Sequence, residues 1–250
     1  MNYLEANAFL FMAVFMRIGT AMMVLPGFGE SNVPAQLRLV LALTTSFVIA
    51  PVVAASYPPM PSELVPFAGI LLGELAYGLA LGTLARIFMM TLNIAGNVIA
   101  AESGLSFATN FDPTIGIQGA LLSSFLTMLG ITLVFEADLH HLMIAGLVSA
   151  YDVLKPGAPP AWGDLADLAT RTLSKTFRLA IQMSAPFIVF NLVFNAAAGT
   201  VARLLPQIQV FFIAMPLNIM AGIGLLMVTL GSIMMLFLNT FADTLQHGWF

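Results

Sequence analysis

Charged residues are so scarce in this 250-residue chain that they decide which class of fold it can adopt. It has 8 Lys and Arg and 12 Asp and Glu, which together make 8% of the residues, whereas 60% are hydrophobic. A water-soluble domain carries about 25% charged residues. Charge-free runs extend over 39–62, 113–135, 179–202 and 204–242. Lipid or neighbouring helices must therefore cover the surface that these segments form.

The apolar runs predict an all-α protein of the integral membrane type. At membrane depth the backbone must satisfy its own hydrogen bonds, which leaves helices or a closed barrel. A barrel would show strands of about ten residues with alternating polarity, whereas a helical span needs about 20 mostly apolar residues. We predict helical hairpins made of about six apolar helices, several of them kinked, with one amphipathic connector.

Clusters of proline and glycine set the predicted boundaries. The predicted helices cover about 6–25, 34–55, 64–84, 86–104, 120–135, 139–151, 179–202 and 207–241, the last as a bent helix or a tight pair. A single unit of 1–250 would contain N-terminal hairpins over 1–150, a polar connector over 151–178 and a C-terminal hairpin over 179–250. Seven of the 20 charges lie in 152–178, where Arg171, Lys175 and Arg178 share one helix face. The first helix is expected to be retained, because Glu5 stands where a signal peptide would carry positive charge.

Five ionisable side chains lie inside or at the ends of apolar segments, where they are costly and point to function or to polar contacts within a bundle. They are Arg17, Glu74, Arg86, Glu102 and Arg203. A charge at the centre of a span costs roughly 3 kcal/mol on insertion scales. We predict that these charges are buried. The sequence leaves open whether they form salt bridges and carbonyl contacts or line a conduction path; for Arg203 a role at a helix end is favoured.

The segment 104–119 is unlike both a helix and a solvated loop. It contains three glycines and one proline but only one charged residue, Asp112. Non-helical backbone of such composition is tolerated near a membrane only inside protein or along a cavity. We therefore predict a re-entrant or cavity-plugging loop.

The sequence argues against enzyme activity and against a metal or cofactor site. The absence of cysteine excludes disulfides, thiolate metal sites and cysteine nucleophiles. Neither a phosphate-binding GxxxxGK loop nor a GxSxG elbow occurs. Glu136 and His140 stand at i, i+4, which is weak evidence for a metal site, and a polar helix end is the favoured interpretation. We predict no enzyme activity, no cofactor and no metal. The sequence has no basic patch, which predicts no nucleic-acid partner.

Blocks along the whole chain match a known family. They are Arg17-Ile-Gly19, Leu25-Pro-Gly-Phe-Gly29, Val33-Pro34, Arg38, Ala95-Gly96, Glu102–Ala108, Asp112-Pro113, His140, Ser149-Ala-Tyr151, Ala185-Pro186, Gly199, Arg203, Leu205–Phe211, Pro216-Leu217 and Gly222. The block Leu205-Pro-Gln-Ile-Gln-Val-Phe211 is the most specific. On these residues the chain resembles the FliR family, the flagellar biosynthetic proteins of the type III export gate, which is related to the SctT subunit of virulence secretion systems. Departures are small: Gln209 and Asp138-Leu139 replace residues that many members have.

The resemblance implies a multi-pass subunit of the bacterial inner membrane, located in the flagellar basal body. Implied partners are the P- and Q-type gate subunits FliP and FliQ, with FlhB and FlhA beside them, and the implied substrates are unfolded flagellar proteins. The family's plug loop would fall on 107–118. Its plug residues here would be Phe107, Asn110, Phe111, Asp112, Pro113, Ile115, Gly116 and Gln118.

Two glycine pairs complete the predicted packing contacts. Gly69 and Gly73 are four residues apart, as are Gly78 and Gly82, and small residues at this spacing let helices approach closely. We predict that these glycines, together with Pro206 and Gln207, pack between subunits.

The main alternative is a stand-alone secondary transporter. Glu74 and Arg86 would then form a charged site at the middle of the membrane.

Overall fold

A computed structural model describes residues 3–105, 118–158, 162–205, 207 and 209–247. In these residues all regular structure is helical. The helices are α1 Tyr3–Val14, a π-helical turn Phe15–Gly19, α2 Thr20–Val24, α3 Ala35–Val53, a 3-10 turn Ala54–Ser56, α4 Leu64–Glu102, α5 Gln118–Glu136, α6 Leu139–Val153, α7 Trp162–Leu204 and α8 Val210–His247.

Five helical segments of the described chain are long and apolar enough to cross a membrane. They are Leu4–Val24, Ala35–Ser56, Leu64–Glu102, Trp162–Leu204 and Phe212–Gln246. Leu121–Glu136 and Leu139–Val153 would make a sixth, broken span if counted together. The predicted all-α fold of the membrane type is confirmed.

The chain divides into two compact units, each built from separate stretches of sequence. Unit 1 consists of Met1–Phe88, Phe135–Leu173 and Ala242–Phe250. Unit 2 consists of Met89–Val134 and Ser174–Phe241. Both α4 and α7 contribute to each unit.

Unit 1 packs around the junction of α1, the π-helical turn and α2. Its fully buried side chains include an arginine and two tyrosines beside apolar residues, so this core contains polar groups. Examples are Arg17, Ile18, Leu25, Tyr77, Leu81, Phe88, Leu147 and Tyr151.

Unit 2 has a more uniformly apolar core. Residues of α4, α5, α7 and α8 recur there at three- and four-residue spacing, as expected for amphipathic helices. Examples are Leu92, Ala95, Ile99, Leu126, Ala180, Met183, Phe187 and Phe237.

Two predicted helix boundaries are wrong. The two helices predicted over 64–84 and 86–104, with a break or bend between them, form one helix, because α4 is continuous over 39 residues. The predicted polar connector 151–178 is not a separate element. Its second part belongs to a 43-residue helix that begins at Trp162 and continues into the apolar segment. The reason is that the buried stripe keeps its register: Thr172, Thr176 and Leu179 are all buried.

The C-terminal part of the chain is long helix despite its prolines. Pro186 lies inside α7 and Pro216 inside α8. The last segment was predicted as either a bent helix or a tight pair of helices, and the structure shows one helix, α8. A proline removes one backbone donor, and membrane-type helices tolerate it where neighbouring groups satisfy the freed carbonyl.

Candidate functional site

A buried ion pair forms the polar centre of unit 1. Arg17 donates from Nε to Glu74 Oε2 at 2.7 Å and from Nη2 to Glu74 Oε1 at 2.9 Å. The two side chains are 0% and 1% exposed. This two-point geometry is the strongest form of arginine–carboxylate contact. It joins the π-helical turn near the N-terminus to α4.

Further groups complete this centre. Arg17 Nη2 also donates to the carbonyl of Leu154 at 2.8 Å. The Tyr57 hydroxyl donates to Glu74 Oε2 at 2.8 Å. The guanidinium lies over the rings of Tyr77 and Tyr151, at 4.8 and 4.0 Å from their centroids. We call these six residues the Arg17 centre.

The Arg17 centre is held by structure from several places in the sequence. Residues 57 and 154 lie in connections, whereas residues 77 and 151 lie on α4 and α6. Burial raises the pKa of the Tyr57 hydroxyl, so the group remains a hydrogen-bond donor. Removing one member of a buried ion pair leaves an uncompensated charge, which costs about 3–5 kcal/mol.

The two glycine pairs of α4 have different surroundings. A Cβ on Gly78 would meet the Arg17 carbonyl oxygen at 2.2 Å, and one on Gly82 would meet the Ala21 oxygen at 2.8 Å. This pair therefore lets the backbone of Arg17–Ala21 approach α4 within the chain. The prediction that Gly78 and Gly82 pack between subunits is wrong, because their close approach is internal.

Gly69 and Gly73, by contrast, face open space. A Cβ at either position would meet nothing within 4 Å. Both glycines line a cavity of about 470 Å³, whose wall includes Glu74 and Tyr77. Packing of this pair against another subunit stays a prediction.

Arg86 and Arg203 are exposed in the chain by itself, and their burial against another subunit stays a prediction. Arg86 shares an exposed face of α4 with Thr83 and Met90, which follows from the helical repeat. Arg203 lies in the last turn of α7, where a cation suits the helix end.

The charged pair expected of a transporter is not assembled. Glu74 is paired with Arg17, and Arg86 lies twelve residues further along the same helix, about 18 Å away at 1.5 Å per residue. The two side chains do not form one site.

A second polar cluster lies in unit 2. Glu102 is half-buried, and its Oε2 accepts a hydrogen bond from Asn191 Nδ2 at 2.6 Å. Asn195 Nδ2 donates in turn to Asn191 Oδ1 at 2.7 Å. On α8, Asn218 Nδ2 makes a long contact of 3.5 Å with the Glu102 carbonyl oxygen.

The histidines lie at the turn between α5 and α6. Ligand atoms of Asp138, His140 and His141 fall within 4.8 Å of one another, and Asp138 adopts a left-handed backbone with φ 57°. The side chains of Asp138 and His141 are 78% and 70% exposed. Solvation of this kind fits the polar helix end that the sequence favours.

The remaining predicted site residues are only partly within the described residues. Of the plug residues, all but Gln118 lie outside them, and Gln118 begins α5. Pro206 also lies outside them, whereas Gln207 is exposed. The plug prediction therefore stays a prediction.

Sequence reasoning missed most of the polar partners. Three of the chain's four tyrosines belong to the Arg17 centre. These few tyrosines could have indicated polar contacts in an apolar chain, because a buried tyrosine hydroxyl needs a hydrogen-bond partner. The asparagines of α7 and α8 carried the same signal.

Comparison with known proteins identifies a family. The family model of bacterial export proteins, family 1, matches residues 8–244. The flagellar biosynthetic protein FliR of Caulobacter vibrioides is 39% identical over 233 residues, which cover 93% of each chain. FliR of Bacillus subtilis is 30% identical over 94% of this chain and 92% of that protein. FliR of Escherichia coli is 29% identical over 80% of this chain and 76% of that protein.

Proposed function

Because the chain belongs to the FliR family of bacterial export proteins, and so to the flagellar export apparatus, we propose that it is a structural and gating subunit of the export channel. It assembles with P- and Q-type subunits, FliP and FliQ, in the inner membrane. FlhB and FlhA lie next to the assembly, and unfolded flagellar proteins pass through it. The subunit contributes packing and closure and performs no reaction.

The observation that carries this proposal is the bare surface of α7 and α8. Only 6% of the most apolar 18-residue window of α7 is buried within the chain. Leu192 is 71% exposed and Val228 is 82% exposed. Exposed apolar surface of this extent marks contact with protein or lipid. Covering by subunits explains why residues 179–202 of α7 and 210–242 of α8 carry no charge.

Stability of the chain should therefore depend on its partners. The chain expressed alone is expected to aggregate or be degraded, whereas co-expression with P- and Q-type subunits should give a stable complex that co-purifies with it. The measurement is affinity purification from membranes followed by size-exclusion chromatography and mass spectrometry. A monodisperse chain that moves a small solute by itself would support the transporter and reject the channel subunit.

Closure of the channel is assigned to the segment 104–119. Its composition and the family resemblance support this role, and Gly104, with φ 72°, ends α4 where the segment begins. Deleting 109–116 should raise ion leak through the assembled gate without preventing assembly. Planar-bilayer conductance measures this. An assembled gate with unchanged conductance would remove the plug from the proposal.

A further inference from the structure

The C-terminal end of α4 gathers oxygen atoms that the proposed function does not use. Glu102 supplies the only carboxylate among the described residues of unit 2. It forms no ion pair with any residue that the structure describes, and its carboxylate accepts a hydrogen bond from Asn191. A positive charge nearby would stabilise a half-buried carboxylate in an apolar bundle.

Two neighbouring side chains have buried oxygen atoms without partners. Ser103 is 1% exposed and Asn218 is 9% exposed. Neither Ser103 Oγ nor Asn218 Oδ1 has a hydrogen-bond partner among the described residues. Such atoms are rare in folded proteins, and each one needs an explanation such as an ion or a water molecule.

Packing of α8 brings both residues to the same helix end. Asn218 reaches the Glu102 carbonyl oxygen through Nδ2 at 3.5 Å. One turn later, a Cβ on Gly222 would meet Ser103 Oγ at 2.8 Å. Asn218 and Gly222 therefore place α8 against the consecutive residues Glu102 and Ser103, where α4 ends. Because Gly222 has no side chain, there is room for the Ser103 hydroxyl next to α8.

The electrostatics of this helix end favour a cation. The carbonyl end of a helix carries a partial negative charge, to which Glu102 adds a full one. Carboxylate, hydroxyl and amide oxygens are the ligands of hard cations such as Na⁺, Mg²⁺ and Ca²⁺. One carboxylate balances one positive charge, which favours a monovalent ion over a divalent one.

We propose that unit 2 binds a monovalent hard cation of the Na⁺ type at the C-terminal end of α4. Ser103 Oγ and Asn218 Oδ1 are its ligands, and Glu102 balances its charge. Asn191 orients the Glu102 carboxylate, and Asn195 holds Asn191 from the next turn of α7. Glu102 is half-buried, which gives the ion a route from outside.

The test compares thermal unfolding of the full chain, purified with its gate partners in detergent, in NaCl and in choline chloride at equal ionic strength. Sodium at tenfold its Kd should raise Tm by roughly 3–6 °C. Glu102→Gln should abolish this rise, because the isosteric amide lacks the charge. Glu63→Gln, which changes an exposed carboxylate in unit 1, should retain it.

Ser103→Ala separates a ligand from a structural residue. Removing a buried hydroxyl without a partner should leave Tm in choline unchanged or higher. The same variant should reduce the sodium-dependent rise by at least half, and ²³Na NMR should show weaker binding. Equal Tm of the natural protein in sodium and choline, or a full sodium response in Glu102→Gln or Ser103→Ala, would overturn the proposal.

Discussion

At the scale of single residues, Arg17 and Glu74 explain how an apolar chain accommodates charge. Each charge neutralises the other, and the remaining donor and acceptor positions are filled by Leu154 and Tyr57. Arg17 Nη1 has no partner among the described residues, but the Tyr77 and Tyr151 rings lie against the guanidinium. The pair therefore defines the local arrangement of four chain segments.

Replacing one member of the pair should cost more than replacing an exposed charge. Glu74→Leu leaves Arg17 buried and unpaired, which should destabilise the protein by about 3–5 kcal/mol. Asp164→Leu alters an exposed residue in the first turn of α7 and should change stability by no more than about 1 kcal/mol. Thermal unfolding of the purified gate, together with motility on soft agar, compares the two.

The double variant Arg17→Met/Glu74→Leu supplies the control. It removes both charges and should recover part of the lost stability, because no buried charge remains unpaired. Equal unfolding temperatures for Glu74→Leu and Asp164→Leu would show that the ion pair is tolerated and contributes nothing.

The sequence predicted which charges deserve attention, but it could not predict their partners. Apolar context alone marked Arg17 and Glu74. Their pairing depends on tertiary packing across 57 residues of chain, about which local pattern says nothing. Arg86 had the same apolar context, yet the rotation of α4 leaves it exposed.

At the scale of the helix, the two glycine pairs of α4 separate internal packing from packing between proteins. Spacing alone treats the pairs as equivalent. The structure distinguishes them, because Gly78 and Gly82 contact backbone of the same chain while Gly69 and Gly73 line a cavity.

Substitutions at the two pairs should have different effects. Gly78→Ala places a methyl group against the Arg17 carbonyl and should lower the unfolding temperature of the gate that assembles with it. Gly69→Leu has space within the chain, so its unfolding temperature should hold, while the yield of complex with P- and Q-type subunits falls several-fold. Nanoscale fluorimetry and quantitative co-purification report the two effects. Normal assembly of Gly69→Leu would show that this face meets no partner.

Helix type was predictable, whereas helix length was not. The apolar runs correctly predicted helices. The glycines of α4 and the prolines of α7 and α8 suggested that these helices would be broken or bent, but each of them is continuous. Burial along a continuous stripe outweighs the local cost of one glycine or one proline.

At the scale of the whole molecule, the exposed apolar surface must be covered by lipid or by other proteins. Composition requires a covering, and family membership favours neighbouring subunits over lipid. The exposed faces of α7 and α8 are one such surface, and residues 204–242 contain no charge at all.

Photo-crosslinking in native membranes tests this most directly. A genetically encoded benzophenone at Val193 or Val228, which are 63% and 82% exposed, should form adducts with P- or Q-type subunits, identified by mass spectrometry. The same group at Met183, which is 1% exposed, should give only adducts within the chain. Lipid adducts alone at both exposed positions, in cells with a working flagellar export apparatus, would contradict a covering by protein.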